Sequence, residues 1–188
     1  MKIYDITQEV FTSNVYPGDN SPSFKRLMEM KEGALYNFST ITMSLHNGTH
    51  LDAPWHFVND GEKIDEVDLE KFIGQAVVVT ANGNITADFI KELPTCERIL
   101  FKGDCVFTLD GAEELTKWGL KLVGIESQSV APVEDPIPVH VELLSNEVVI
   151  LEGLVLGDVP DGEYFLSALP LKLGGLEGSP CRAILIQK

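Results

Sequence analysis

Apolar and polar residues follow one another in short blocks along this chain rather than in long helical stripes. Strand-sized runs rich in β-branched residues recur at 38–46, 75–81, 98–102, 121–125, 148–152, 164–169 and 182–187. Each is bounded by Gly, Pro, Asn or Asp, and the combination predicts strands. Helical patterns are fewer. Thr86 is placed to N-cap a short helix carrying Phe89, Ile90 and Leu93 and ended by Pro94, since a hydroxyl accepts from the first free amides and proline cannot continue the ladder. Asp110 is placed to cap a second, running through Ala112 and Leu115 to Trp118 and closed by Gly119. A third fits 139–144, stopped by Ser145 and Asn146. Strands interleaved with short helices predict an α/β or α+β domain on a mixed sheet.

Composition narrows the function. A length of 188 residues, 44% hydrophobic and 23% charged, fits one ordered domain spanning 1–188. No internal repeat, low-complexity tract or linker divides it. Lys and Arg total 14 against 29 Asp and Glu, a formal charge of −15. Such a field repels phosphate backbones and anionic lipid, so neither nucleic acid nor membrane is expected as a partner. The purely apolar runs, such as 77–79 and 148–151, are strand-sized and far short of a membrane span. Met1-Lys2-Ile3-Tyr4-Asp5 has no apolar core of a signal peptide. Three cysteines, Cys96, Cys105 and Cys181, form no Cys-x-x-Cys pair, which argues against a disulfide framework or a thiolate zinc site and suits the cytoplasm. They read as small buried hydrophobes rather than catalytic thiols.

The histidines carry the chemistry. Of the four, His46, His50 and His56 fall within eleven residues, in His46-Asn47-Gly48-Thr49-His50-Leu51-Asp52-Ala53-Pro54-Trp55-His56-Phe57, and His140 stands apart. Gly48 and Pro54 exclude a helical pair of ligands at His46 and His50. The preceding residues alternate, with Ile41, Met43 and Leu45 against Thr40, Thr42 and Ser44. His46 therefore continues the polar series of an expected strand, with His50, Asp52 and His56 on the same parity. Imidazole nitrogen with carboxylate oxygen suits Zn²⁺ first, with Mn²⁺ or Fe²⁺ as alternatives, and three protein ligands leave a position for water. A histidine that does not ligate can serve as general base. His140 and Glu152, taken alone, fit a surface position as well as a functional one. Tyr16, Trp55 and Phe57 fit either a core or an aromatic pocket.

The run His-x-Gly-Thr-His-x-Asp-x-Pro-x-His-Phe resembles the signature of the metal-dependent cyclase family, whose best-known members are bacterial kynurenine formamidases. Further segments are similar in the same order: Tyr16-Pro17-Gly18-Asp19, Gly124 to Val130, His140-Val141-Glu142-Leu143-Leu144, Leu151-Glu152-Gly153-Leu154, and Gly178-Ser179-Pro180-Cys181-Arg182-Ala183. Two positions differ, with Tyr16 where Trp is frequent and Glu126 where Asp is frequent. The resemblance implies a swivelling β/β/α fold, a central mixed sheet flanked by short helices, and a binuclear site that usually holds two Zn²⁺. Carried over by position, His46, His50 and Asp52 would bind one metal. Asp52 would bridge to a second metal held by His140 and Glu152, with His56 as the acid/base. Implied too are a homo-oligomer, dimer or tetramer, and a small-molecule substrate of tryptophan catabolism.

The reaction that follows is hydrolysis of an N-formyl aryl amide, N-formylkynurenine to kynurenine and formate. Tyr16, Trp55 and Phe57 are candidates to hold the aromatic substrate, and Thr49 and the Gly48 backbone to support the ligands. The same site serves relatives that open cyclic amides, such as isatin hydrolase, so ring-opening hydrolysis is the alternative. A metal-binding protein without catalysis is another reading, which the presence of His56 disfavours.

Overall fold

The computed structural model describes residues 1–187. Its strands are β1 (Lys2–Asp5), β2 (Ser23–Met28), β3 (Phe38–Thr42), β4 (His50–Asp52), β5 (Ile73–Thr80), β6 (Gly83–Ile85), β7 (Arg98–Lys102), β8 (Cys105–Phe107), β9 (Leu122–Ile125), β10 (Val149–Glu152), β11 (Gly162–Ser167), β12 (Gly178–Pro180) and β13 (Ile184–Gln187). The helices are α1 (Ala87–Lys91), α2 (Leu109–Thr116) and α3 (Ile137–Ser145). Nine strands form one mixed sheet in the order β1-β13-β11-β5-β7-β9-β10-β4-β12. Its centre, β5 to β10, is parallel, and both flanks are antiparallel.

Alternation along the central strands feeds two cores. Leu100, Leu122, Val149 and Leu151 enter one cluster, while Ile99, Phe101, Val123, Ile125 and Ile150 enter the other. Period two requires this, and strands buried on both faces read as continuous apolar runs. The second cluster is roofed by the helices, through Ile90, Ala112, Leu115, Val139 and Leu143. The first cluster holds Leu51 of β4 together with Tyr164 and Leu166 of β11 and Leu185 of β13. These strands lie far apart in sheet order, so the sheet curls until its flanks share a core. The predicted α/β architecture with a central mixed sheet is observed, with the three helices confined to one face.

The differences in detail are local. Thr86 caps α1 as expected, accepting from the Phe89 amide at 3.4 Å. The cap of α2 is Thr108, not Asp110, because Thr108 has the extended backbone of an N-cap and accepts from the Gly111 amide. Asp110 accepts from the Ala87 amide at 3.0 Å, so its carboxylate ties α2 to α1. The alternation at 38–46 predicted a strand with one core face. Only Phe38–Thr42 is strand, and all five residues are exposed. β3 pairs only with β2, and no layer packs on either side, so the pattern marks an extended arm instead of a core edge.

Candidate metal centre

The cluster forms where β4 and β10 run side by side. His50 lies opposite Glu152 in their antiparallel register, which brings cross-strand side chains into contact on one face. Asp52 follows His50 by two residues and so shares that face, while Leu51 turns into the first core. His140 comes from α3, and His46 from the turn that leads into β4. That turn is closed by the Asn47 side chain, which accepts from the Ser44 amide at 2.8 Å. It is tied to β10 by Thr49, whose hydroxyl donates to the Gly153 carbonyl at 2.6 Å and accepts from the Gln8 amide at 2.9 Å. Gly153 is required twice over: its φ is +67°, and a Cβ there would lie 2.5 Å from the Gly48 oxygen.

Two groups of donors result, His46 with His50 and Asp52, and Asp52 with His140 and Glu152. Within each, one donor atom per residue lies within 4.8 Å of the others. Asp52 belongs to both. His46 Nδ1 sits 2.9 Å from Asp52 Oδ1, His50 Nε2 3.2 Å from Glu152 Oε2, and His140 Nε2 3.4 Å from Glu152 Oε1. Yet His50 Nε2 and both Asp52 oxygens are enclosed without a hydrogen-bond partner. These donor atoms lie close together while several make no hydrogen bond, and buried polar atoms without one are costly. The donor set fits a divalent metal of the zinc type.

Burial penalises every charge here, and the cluster offsets it internally. The charged form of His46 is disfavoured by burial, but Asp52, with Glu152 and Glu177 behind it, outweighs this and lifts its pKa to about 9. His50 and His140 are likewise buried and likewise raised, by Glu152 and Asp52. Burial opposes ionisation of Asp52, but His46, His50 and His56 hold its carboxyl well below the usual range. Glu152 is also lowered, by His140 and His50 against burial and the charge of Asp52. His56 goes the other way: burial, with the neighbouring imidazoles, lowers it, so this ring is neutral at pH 7. It stands on the turn Pro54–His56, stacked on His46 at 4.3 Å and 6.3 Å from His140.

A cavity opens over the cluster, walled by Tyr16, Asp19, His56, Phe57, Gln128 and Ser129 together with His46, His50, His140 and Glu152. Phe57 stacks on His140 at 4.6 Å. Trp55 is outside this lining and 36% exposed, with Lys63 Nζ 5.8 Å from its ring centre. Successive residues of a tight 3₁₀ turn point about a third of a revolution apart, which parts Trp55 from His56. Glu126 does not line the cavity either; its carboxylate accepts from the Gly103 and Leu156 amides at 2.7 and 2.5 Å. Asp19, Gln128 and Ser129 were not singled out individually, although they lie in the segments 16–19 and 124–130 that carry the resemblance. Cys105 is buried and Cys96 and Cys181 half-buried, all three as free thiols.

A curled mixed sheet with clustered imidazoles and carboxylates at the ends of adjacent strands defines a candidate metal centre in an α/β fold. The family model described as "Putative cyclase" matches residues 4–132. The chain belongs to the cyclase family. It is 38% identical to a kynurenine formamidase of Erythrobacter litoralis strain HTCC2594 over 98% of this chain and 93% of that one. Among solved structures, a potential metal-dependent hydrolase with cyclase activity superposes with a TM-score of 0.84 at 32% identity, over 98% of this chain and 96% of that one. Isatin hydrolase A of Labrenzia aggregata superposes with a TM-score of 0.87 at 22% identity, over 100% and 94%, a likeness of fold.

Proposed function

We propose that the chain is a metal-dependent amide hydrolase, an arylformamidase that converts N-formylkynurenine and water to kynurenine and formate. The observation that carries this reading is the convergence of His46, His50, Asp52, His140 and Glu152, from two distant stretches of chain, beside His56, which lines the same cavity. Near-full-length similarity to a kynurenine formamidase supports the substrate. His46, His50 and Asp52 would hold one divalent ion, and Asp52, His140 and Glu152 a second, with zinc the first choice for imidazole and carboxylate donors and Mn²⁺ a competitor. Such an ion lowers the pKa of water toward neutrality and polarises a carbonyl.

The chain's own groups do the rest. Asp52 and Glu152 are held ionised and ready to ligate. His56 accepts the proton of the attacking water as it adds to the formyl carbon, and returns it to the aniline nitrogen as the C–N bond breaks. Tyr16 and Phe57 line the wall against which the aryl ring would rest; Trp55 would contribute only at the rim. Turnover of N-formylkynurenine by purified protein, beside isatin as the competing substrate, tests the assignment. Formate release with at least tenfold preference for N-formylkynurenine supports it, and preference for isatin replaces it with ring opening.

The same reading extends to the setting of the enzyme. Residues 1–188 act as one domain, supported by a sheet that takes strands from both ends of the described chain; residue 188 lies outside the described residues. Three free thiols support a cytoplasmic location, and among the described residues no helix is long and apolar enough to cross a membrane. A homo-oligomer, dimer or tetramer, is supported by the arm β2–β3. It exposes Phe24, Leu35, Phe38 and Ile41, an apolar patch of the kind that marks an interaction surface. Residues 23–42 hold three cations and two carboxylates in a chain of net charge −15, so the arm complements the acidic body of a second copy. Sedimentation of the Phe38→Asp, Ile41→Asp double variant is expected to read monomer; an unchanged oligomer overturns the assignment.

A further inference from the structure

The three imidazoles of the cluster each have an inward and an outward nitrogen, and what faces the outward one differs. In His50, Nδ1 lies 3.0 Å from the Gly48 carbonyl oxygen. In His140, Nδ1 lies 2.7 Å from the Pro136 carbonyl oxygen. A carbonyl only accepts, so each Nδ1 carries a proton and Nε2 is the nitrogen left to face a metal. His46 is reversed. Its Nδ1 faces Asp52, and its outward Nε2 is enclosed with no hydrogen bond made. The one acidic oxygen facing that nitrogen is Oε1 of Glu177, at 3.5 Å.

We infer that Glu177 is the positioning residue of His46: its carboxylate accepts the Nε2 proton and so presents the Nδ1 lone pair to a metal. The inference rests on the metal-centre reading above and assigns a residue outside that ligand set. The backbone holds Glu177 to the task. Its carbonyl accepts from the Ala53 amide at 2.9 Å, and the next residue, Gly178, stands opposite Asp52 in the β12–β4 register. Gly178 also seats the ring, because a Cβ there would lie 3.1 Å from His46 Cε1 and 2.7 Å from the Leu51 oxygen. An imidazole ligand whose far nitrogen donates to a carboxylate is fixed in tautomer and orientation and is more basic toward the metal. Of the three rings, only His46 takes this orientation from a side chain, so a substitution can remove it.

The test is a zinc-competition titration of the wild-type chain, Glu177→Gln, Glu177→Asp and Gly178→Ala, with melting of the metal-free proteins alongside. Glu177→Gln is expected to weaken one of two zinc affinities by about 10–100-fold and leave the other and the metal-free melting temperature unchanged. Glu177→Asp should recover part of the loss, and Gly178→Ala should weaken the same affinity by displacing the ring. Equal affinities in wild type and Glu177→Gln overturn the assignment, as does equal weakening of both affinities with a lowered metal-free melting temperature. A wild-type chain that takes up no zinc overturns the metal-centre reading itself, and this assignment with it.

Discussion

Two places in this molecule bury charge within the same sheet, and they handle it in opposite ways. Arg98, at the start of β7, is 2% exposed. Its guanidinium donates to the carbonyls of Lys71 at 3.1 Å, Gln75 at 3.4 Å and Glu70, and to the Glu97 carboxylate at 3.1 Å. Every arm of the fork has an acceptor, so the charge is satisfied by protein alone. The cluster at β4 and β10 is as deeply buried, yet its charges face only one another, and Asp52 and His50 Nε2 make no hydrogen bond. A buried polar group left unmade costs about 1–3 kcal/mol, and a fold retains such groups where something outside the chain completes them. Arg98 is architecture, and the histidine cluster is proposed to be a receptacle.

Exchanging Asp52 for Asn strikes the receptacle hardest, since Asp52 serves both donor groups. Metal content and amide hydrolysis should disappear together, read by elemental analysis and a formate assay, while the chain stays folded by circular dichroism. His56→Ala separates chemistry from binding: kcat/KM should fall by about 10²–10⁴ with metal content unchanged, and retained activity would remove His56 from the mechanism. Arg98→Met is the converse. Loss of the buried guanidinium and its hydrogen bonds should cost about 1–3 kcal/mol in urea unfolding, and metal content per folded chain should not move.

The smallest effect is expected at the thiols. Burial pushes Cys181 up to about 12, and burial with the charges of Glu126 and Asp104 pushes Cys105 up to about 11. Burial also raises Cys96. A raised thiol pKa means a protonated, weakly nucleophilic sulfur at pH 7, with reactivity growing only as pH climbs toward those values. Iodoacetamide at pH 7 should leave activity intact; rapid inactivation would place a thiol in the mechanism.

What could be read from the sequence followed the same division. The run His46 to His56 was legible because glycine and proline act locally and its donors are neighbours in the chain, but the parity that put His46 on a strand did not hold, since β3 ends at Thr42 and His46 lies in a turn. The central strands were legible because both faces are buried and the runs are apolar throughout. β4, β6, β8 and β12, three residues each, were not, because their pairing is set by the partners they meet and not by their own propensity. Glu177 escaped for the same reason: it reaches His46 through the register of β12 on β4, across more than 130 residues. The arm at 23–42 carries strand alternation with no core beneath it, and alternation alone does not say what covers a face.

Hydrolysis is proposed to depend on divalent cations held by the donors around Asp52. Stripping the purified chain with a chelator and titrating zinc back, with bound metal and N-formylkynurenine turnover followed together, tests it most directly. Two equivalents per chain, with turnover lost on stripping and restored as the sites fill, is the predicted result. Undiminished turnover in the stripped chain, or a folded chain that takes up no zinc, would contradict it.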